Sequence, residues 1–236
     1  MSDTSRHRAG GSADLSGALS EGPLVTEGPG LLVMDVDSTL IEQEVIELIA
    51  ERAGTRELVA EVTARAMRGE LDFAASLRER VATLAGVPQG VFEEVLAEVR
   101  PTQGAAELIE ALHARGCRVG VVSGGFEEGV VPLAERLGID HVAANRLEVV
   151  EGRLTGRVLG RIVDRQEKVR CLIAWAQQDG VPMERTIAVG DGANDLGMLE
   201  AAGLGVAFCA KPVVVEQADA AIHVRDLRAV LQLIGG

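Results

Sequence analysis

Aromatic residues are nearly missing from this chain. Four Phe, one Trp and no Tyr make up 2% of 236 residues. A core with so few rings must be packed from Val, Leu, Ile and Ala, which suits a parallel sheet buried between helices better than an aromatic-rich β-sandwich. Cysteine is scarce too. Cys117, Cys171 and Cys209 are scattered, with no Cys-x-x-Cys. That odd, unpatterned count excludes a disulfide framework and reads as reduced thiols of a cytoplasmic protein. Positive charge is short: 23 Lys and Arg stand against 36 Asp and Glu, a formal net charge of -13. A nucleic-acid partner needs a basic face to neutralise phosphates, and docking on anionic lipid needs the same, so neither partner is expected. No apolar run reaches the length of a membrane-spanning helix, and the N-terminal stretch has no apolar region of the kind a secretory signal carries. A small phosphorylated substrate stays compatible with the charge if the site brings its own cations.

What is present is apolar substance, 47% of the residues, enough for one ordinary domain plus a small insertion. Residues 1–28 are rich in Gly, Ser, Asp and Glu without periodicity and read as a disordered tail, with a short helix around Leu15 to Leu19 as the alternative. Short apolar runs of the kind buried in a parallel sheet fall at residues 31–34, 119–122, 186–189, 204–208 and 221–224. Helical patterns separate most of them, at residues 104–115 with Leu108, Ile109 and Leu112 on one face, at 129–137 and at 169–178. This alternation implies βαβ units and an α/β fold with a doubly wound, mainly parallel, Rossmann-like sheet. Two stretches break the rhythm. Residues 42–100 are helical throughout, too long for a crossover, and read as a small helical cap inserted in a core made of residues 29–41 and 101–236. Residues 145–158 alternate in polarity around Glu151-Gly152 and read as a β-hairpin. No internal repeat is visible.

Ligands of open α/β sheets bind at the carboxyl ends of the strands, and the chemistry-bearing residues gather there. Asp35-Val36-Asp37-Ser38-Thr39 follows the first strand, offering one carboxylate as nucleophile and another as acid and base. Alone it also reads as a turn with a helix cap. Ser123-Gly124-Gly125 follows the second run, where a hydroxyl and backbone N–H groups can form an anion nest, or an ordinary glycine-rich loop. Gly190-Asp191-Gly192-Ala193-Asn194-Asp195 follows the third, with two carboxylates of the hard-oxygen type that magnesium prefers. Lys168 opens the helix before Cys171 and can serve as a point charge on phosphate, although a single Lys is more often a solvated surface residue.

Asp-x-Asp-Ser-Thr, Ser-Gly-Gly, Lys and Gly-Asp-Gly-x-Asn-Asp, in that order on successive strand ends, resemble the haloacid dehalogenase superfamily of phosphohydrolases. With Phe73-Ala74-Ala75-Ser76-Leu77-Arg78-Glu79-Arg80, Ala144-Asn145-Arg146-Leu147 and Ala207-Phe208-Cys209-Ala210-Lys211-Pro212, the segments are similar to the phosphoserine phosphatase family, from about Leu31 to about Val230. The resemblance implies a magnesium-dependent hydrolysis of O-phospho-L-serine, the last step of serine biosynthesis in that family, through an aspartyl phosphate on Asp35. It implies Asp37 as general acid and base, and Ser123, Gly124, Lys168 and Asn194 as the phosphate grip. Magnesium would be held by Asp35, the Asp37 carbonyl and Asp191, with Asp195 supporting. Glu44 would meet the substrate ammonium, Arg80 its carboxylate, and Met67 and Phe73 would form an apolar wall. Another small-molecule phosphatase or a phosphotransferase is the alternative. A phosphate-binding module with a dead site would lack Asp35, Asp37 or Lys168, and all three are present. A small phosphorylated amino acid is the expected partner of a monomer or homodimer. Crowding by Asp35, Asp191 and Asp195 favours a protonated Asp37, while a bound metal opposes this.

Overall fold

Leu31, Leu32, Val33 and Met34 have no solvent exposure, as expected of a strand covered on both faces. The computed structural model describes residues 15–67 and 70–235. Its elements run β1 (Leu15–Ser16), α1 (Pro23–Thr26), β2 (Leu31–Met34), α2 (Val45–Ala53), α3 (Arg56–Met67), α4 (Phe73–Ala82), α5 (Val91–Glu98), α6 (Ala105–Ala114), β3 (Arg118–Phe126), α7 (Glu127–Leu137), β4 (His141–Val150), β5 (Arg153–Leu159), α8 (Arg165–Gln178), β6 (Thr186–Gly190), α9 (Leu196–Ala201), β7 (Leu204–Phe208), α10 (Pro212–Gln217), β8 (Ala220–Ile222) and α11 (Ala229–Leu233). The sheet order is β1-β8-β7-β6-β2-β3-β4-β5. Among the described residues the six strands β2, β3, β4, β6, β7 and β8 are parallel, and only the edge strands β1 and β5 pair antiparallel.

The chain leaves β2 for β3 on one side and reaches β6 on the other, so the switch point of a doubly wound sheet lies at the end of β2. Alternate residues of β2 serve opposite faces. Leu32 and Met34 join one apolar layer with α6, α7 and α11, whereas Leu31 and Val33 join another with α8, α9 and α10. Helix ends follow local chemistry. Asp72 caps α4 by accepting the Ala75 N–H at 2.7 Å, and Asp164 caps α8 by accepting the Glu167 N–H at 2.9 Å. Gly54 and Gly138 end α2 and α7 in the left-handed conformation that glycine adopts without strain.

Between residues 42 and 100 lie α2 to α5, and no strand of the sheet falls there among the described residues. The two connections to this segment run side by side. The Glu42 N–H donates to Arg100 O at 3.1 Å, and Thr102 donates from N to Leu40 O and from Oγ1 to Thr39 O at 2.8 and 2.7 Å. A second tie reaches the β4–β5 hairpin: Gly86 N–H to Leu154 O, Leu154 N–H to Val87 O and Gln89 N–H to Gly152 O, at 2.8–2.9 Å.

Several expectations need correction. Residues 15–28 are neither a disordered tail nor a helix at Leu15 to Leu19. β1 pairs with Ala221 and Ile222 of β8, the Leu19 N–H donates to Leu233 O at 2.8 Å, and Leu24 is buried. The edge of β8 offers unpaired backbone groups, and Leu15, Leu19 and Leu24 add apolar surface that covers the core next to it. The rest of the expected tail, residues 1–14, lies outside the described residues. Asp164, not Lys168, opens α8, so Lys168 sits one turn inside it. The hairpin strand begins at His141, because its first residues pair with β3 before the chain pairs with β5.

Candidate active site

Asp35 extends β2 by one bond, its N–H donating to Val189 O of β6 at 3.0 Å. It is 5% exposed. Beside it the fully buried Lys168 donates from Nζ to Asp35 Oδ1 at 2.6 Å and to Asp195 Oδ1 at 2.7 Å. Asp195 Oδ2 accepts the Gly192 N–H at 3.0 Å, so both its oxygens are engaged. Gly190 must be glycine, since a Cβ there would lie 2.5 Å from Asp195 Cγ.

After Asp35 the chain winds through residues 36–40 in an irregular turn, with Ser38 left-handed at φ 57°. Asp37 Oδ1 accepts the Val45 N–H at 3.1 Å, the first residue of α2. From β3, the buried Ser123 Oγ accepts the Gly125 N–H at 2.8 Å, which leaves its own hydroxyl hydrogen to donate elsewhere. Gly125 lies close to Asp37: a Cβ there would stand 3.0 Å from Asp37 Oδ2. The helical segment supplies the opposite wall. Glu44 precedes α2, and Phe73 and Arg80 come from α4. A Cβ on Gly124 would meet the Phe73 ring at 2.8 Å.

These residues enclose a cavity of about 190 Å³ lined by Asp35, Asp37, Glu44, Phe73, Arg80, Gly124, Asp191 and Asn194, among others. Lys168 and Asp195 stand behind Asp35 rather than in the cavity wall. Met67 ends α3, and its side chain lies outside the described residues. Two residues quoted from the sequence only as parts of motifs gain a place here. Lys211 lines the cavity. The fully buried Asn145 donates to Gly124 O and accepts the Val163 N–H, both at 2.9 Å, tying the Ser123 loop to the segment that leads into α8. A lysine at yet another strand end was the available signal for Lys211. Nothing local distinguishes Asn145.

Charge follows burial. Desolvation pushes Asp35 well above the ordinary carboxylate range, opposed by Lys168 and reinforced by Asp195 and Asp37. Burial, with Glu44 next in weight, raises Asp37 to about 7. Burial and Asp195 raise Asp191 to about 6. Lys168 is pulled down by burial, but Asp195 and Asp35 outweigh this and hold it protonated, above its usual value. Burial lowers Arg80, which faces the negative charges of Glu44, Asp37 and Glu47. Carboxylate oxygens of Asp35, Asp191 and Asp195 lie within 4.8 Å of one another. An all-oxygen set of this kind fits a hard divalent cation such as magnesium. Because Asp195 is spent on Lys168 and Gly192, Asp35 and Asp191 are the pair best able to hold one.

A carboxylate held at a switch point by a buried ammonium, facing a donor-lined turn, can attack phosphorus while the donors take up charge on the equatorial oxygens. The class so defined is that of α/β hydrolases that carry a phosphoryl group on an aspartate. A family model described as haloacid dehalogenase-like hydrolase matches residues 32–200. A phosphoserine phosphatase of Streptococcus thermophilus is 54% identical over 89% of this chain and 98% of its own length. One of Streptomyces coelicolor is 60% identical over 87% of this chain, which spans 50% of that protein. A solved phosphoserine phosphatase with an analogue of its phospho-aspartyl intermediate superimposes with a TM-score of 0.82 at 46% identity, over 87% of this chain and 99% of that one. The chain belongs to the phosphoserine phosphatase family of the haloacid dehalogenase-like hydrolases.

Proposed function

We propose that this protein is a magnesium-dependent, cytoplasmic phosphatase that converts O-phospho-L-serine to L-serine and phosphate through an aspartyl phosphate on Asp35. The observation that carries the reading is the buried Asp35–Lys168–Asp195 array facing a small cavity whose far wall holds one carboxylate, Glu44, and one guanidinium, Arg80. Asp35 is the nucleophile. Asp37, across the cavity against Gly125, protonates the serine oxygen as it leaves and then takes a proton from the water that hydrolyses the aspartyl phosphate. The Gly124 backbone and Asn194, which line the cavity, grip the phosphoryl oxygens, and the Ser123 hydroxyl and the Lys168 ammonium support that grip from just behind the wall. Asp35, the Asp37 carbonyl and Asp191, with Asp195 behind them, would hold magnesium, which when bound would supply positive charge to offset that of the carboxylates and of the phosphoryl group.

Substrate choice follows from the cost of burying two charges on one carbon, which is small only if each finds a partner. Glu44 pairs with the ammonium and Arg80 with the carboxylate. Phe73, pressed on Gly124, closes an apolar wall, so residues 42–100 act as a cap that excludes water. Three free thiols and a small diffusible substrate support a cytoplasmic setting. The test is phosphate release from phosphoserine with and without magnesium. Release that needs magnesium is expected, and no release from phosphoserine under either condition would refute the reading.

A further inference from the structure

Ser38 occupies a backbone conformation that a residue with a Cβ rarely adopts, and three bonds keep it there. Its N–H donates to Gln43 O at 3.2 Å, and its carbonyl accepts from Arg225 Nη1 at 3.1 Å. Its Oγ donates to Glu44 Oε1 at 2.7 Å. Arg225 comes from the loop after β8 and lies over the Phe208 ring at 5.9 Å, so residues near the C-terminal end anchor the turn that follows Asp37. Glu44 is exposed and long, and a free glutamate would sample many rotamers. The Ser38 hydroxyl donates to a single oxygen and directs that carboxylate toward the cavity that Glu44 lines with Asp37.

We infer that Ser38 is a positioning residue for substrate choice. It holds the Glu44 carboxylate where the ammonium of an amino-acid substrate arrives, and Arg225 braces it from the exposed loop after β8. The inference rests on the reading of Glu44 as the ammonium partner. The left-handed turn suits glycine better than serine, so Ser38→Gly removes the hydroxyl while leaving the backbone unstrained. Ser38→Asn keeps a donor on a residue that tolerates the same conformation.

The readout is the ratio of kcat/KM for phosphoserine to that for 3-phosphoglycerate, which carries a hydroxyl in place of the ammonium. Inhibition by orthophosphate reports on the rest of the site. Loss of a hydrogen bond to a charged group should lower the ratio about tenfold or more in Ser38→Gly. Ser38→Asn should recover much of it, and orthophosphate inhibition should stay within about twofold of the parent. If Glu44→Gln collapses the ratio and Ser38→Gly leaves it unchanged, the inference fails while the reading of Glu44 stands. If Glu44→Gln leaves the ratio unchanged, that reading fails and takes the inference with it. An equal loss on both substrates and on orthophosphate in Ser38→Gly would make Ser38 a purely structural turn residue and overturn the inference.

Discussion

Lys168 is fully buried, held 2.6 and 2.7 Å from two carboxylates, and donates to both. Its removal leaves buried negative charge uncompensated, so Lys168→Ala should destabilise the fold by about 3–5 kcal/mol as well as stop turnover, which urea unfolding and phosphate release would measure. Asp35→Asn should separate the two effects. An amide is not a competent nucleophile, so turnover should vanish, while its oxygen still accepts from Lys168 and the unfolding midpoint should move far less. Asp37 adds a pH dependence. Burial and Glu44 raise it to about 7, so its proton is present below that value and lost above it. Since the leaving serine oxygen needs that proton, kcat/KM should fall on the alkaline side, with a midpoint that a nearby cation draws below the metal-free value of about 7, and Asp37→Asn should lower activity and flatten that limb. A limb that persists unchanged in Asp37→Asn would assign the proton to another group.

At the scale of elements, α4 meets the core at the Phe73–Gly124 contact and brings Arg80 into the cavity. Arg80→Ala should reduce kcat/KM for phosphoserine by roughly a few hundredfold, and that for phosphoethanolamine, which lacks the carboxylate, far less. Equal losses on both would mean that Arg80 only shapes the cap. The end of α4 also rests on β5. Gly156 has φ 83°, and a Cβ there would meet Ala85 and Ala82 at 3.1–3.2 Å. Gly156→Ala should therefore cost about 1–3 kcal/mol in thermal or urea unfolding, through strain and overpacking at the seam between hairpin and cap. That seam was not legible in the sequence. The hairpin and the helices each announce themselves by local periodicity, but Gly86 and Leu154 carry no mark of pairing across a separation of more than sixty residues.

For the whole molecule, acidic crowding at one end of the sheet sets the response to pH and metal. Asp37 and Asp191 have folded values near 7 and 6 against an ordinary 3.8. Between those limits the folded state binds more protons than the unfolded chain. Their contribution to stability is thus full below about pH 4 and lost as pH rises through about 6 to 7. The metal-free protein should lose melting temperature over that interval from this site. Magnesium held by these carboxylates would need them ionised, so it should raise Tm more near pH 8 than near pH 5. A magnesium effect of equal size at both pH values would show that the cation does not bind at these carboxylates.

By itself the sequence determined five of the six parallel strands, β4 being the exception, because runs such as Leu31 to Met34 can be satisfied only by burial on both faces. It also determined that acidic and glycine-rich motifs sit at the carboxyl ends of β2, β3 and β6, although Ser123-Gly124-Gly125 falls within the last residues of β3 rather than after it, and the doubly wound topology brings those ends together at one switch point. Tertiary structure alone decided which of many charged residues do work. Lys168 becomes a buried partner only because α8 packs where β2 ends, 133 residues from Asp35 in the chain. Leu15 and Ser16 become a strand because β8 leaves an edge to pair with. Ser38, which pairs with Glu44, also accepts a bond at its backbone carbonyl from Arg225, 187 residues further on. Periodicity and motif spacing report on neighbours within a few turns of chain. Burial and ion pairing depend on distances that only packing creates.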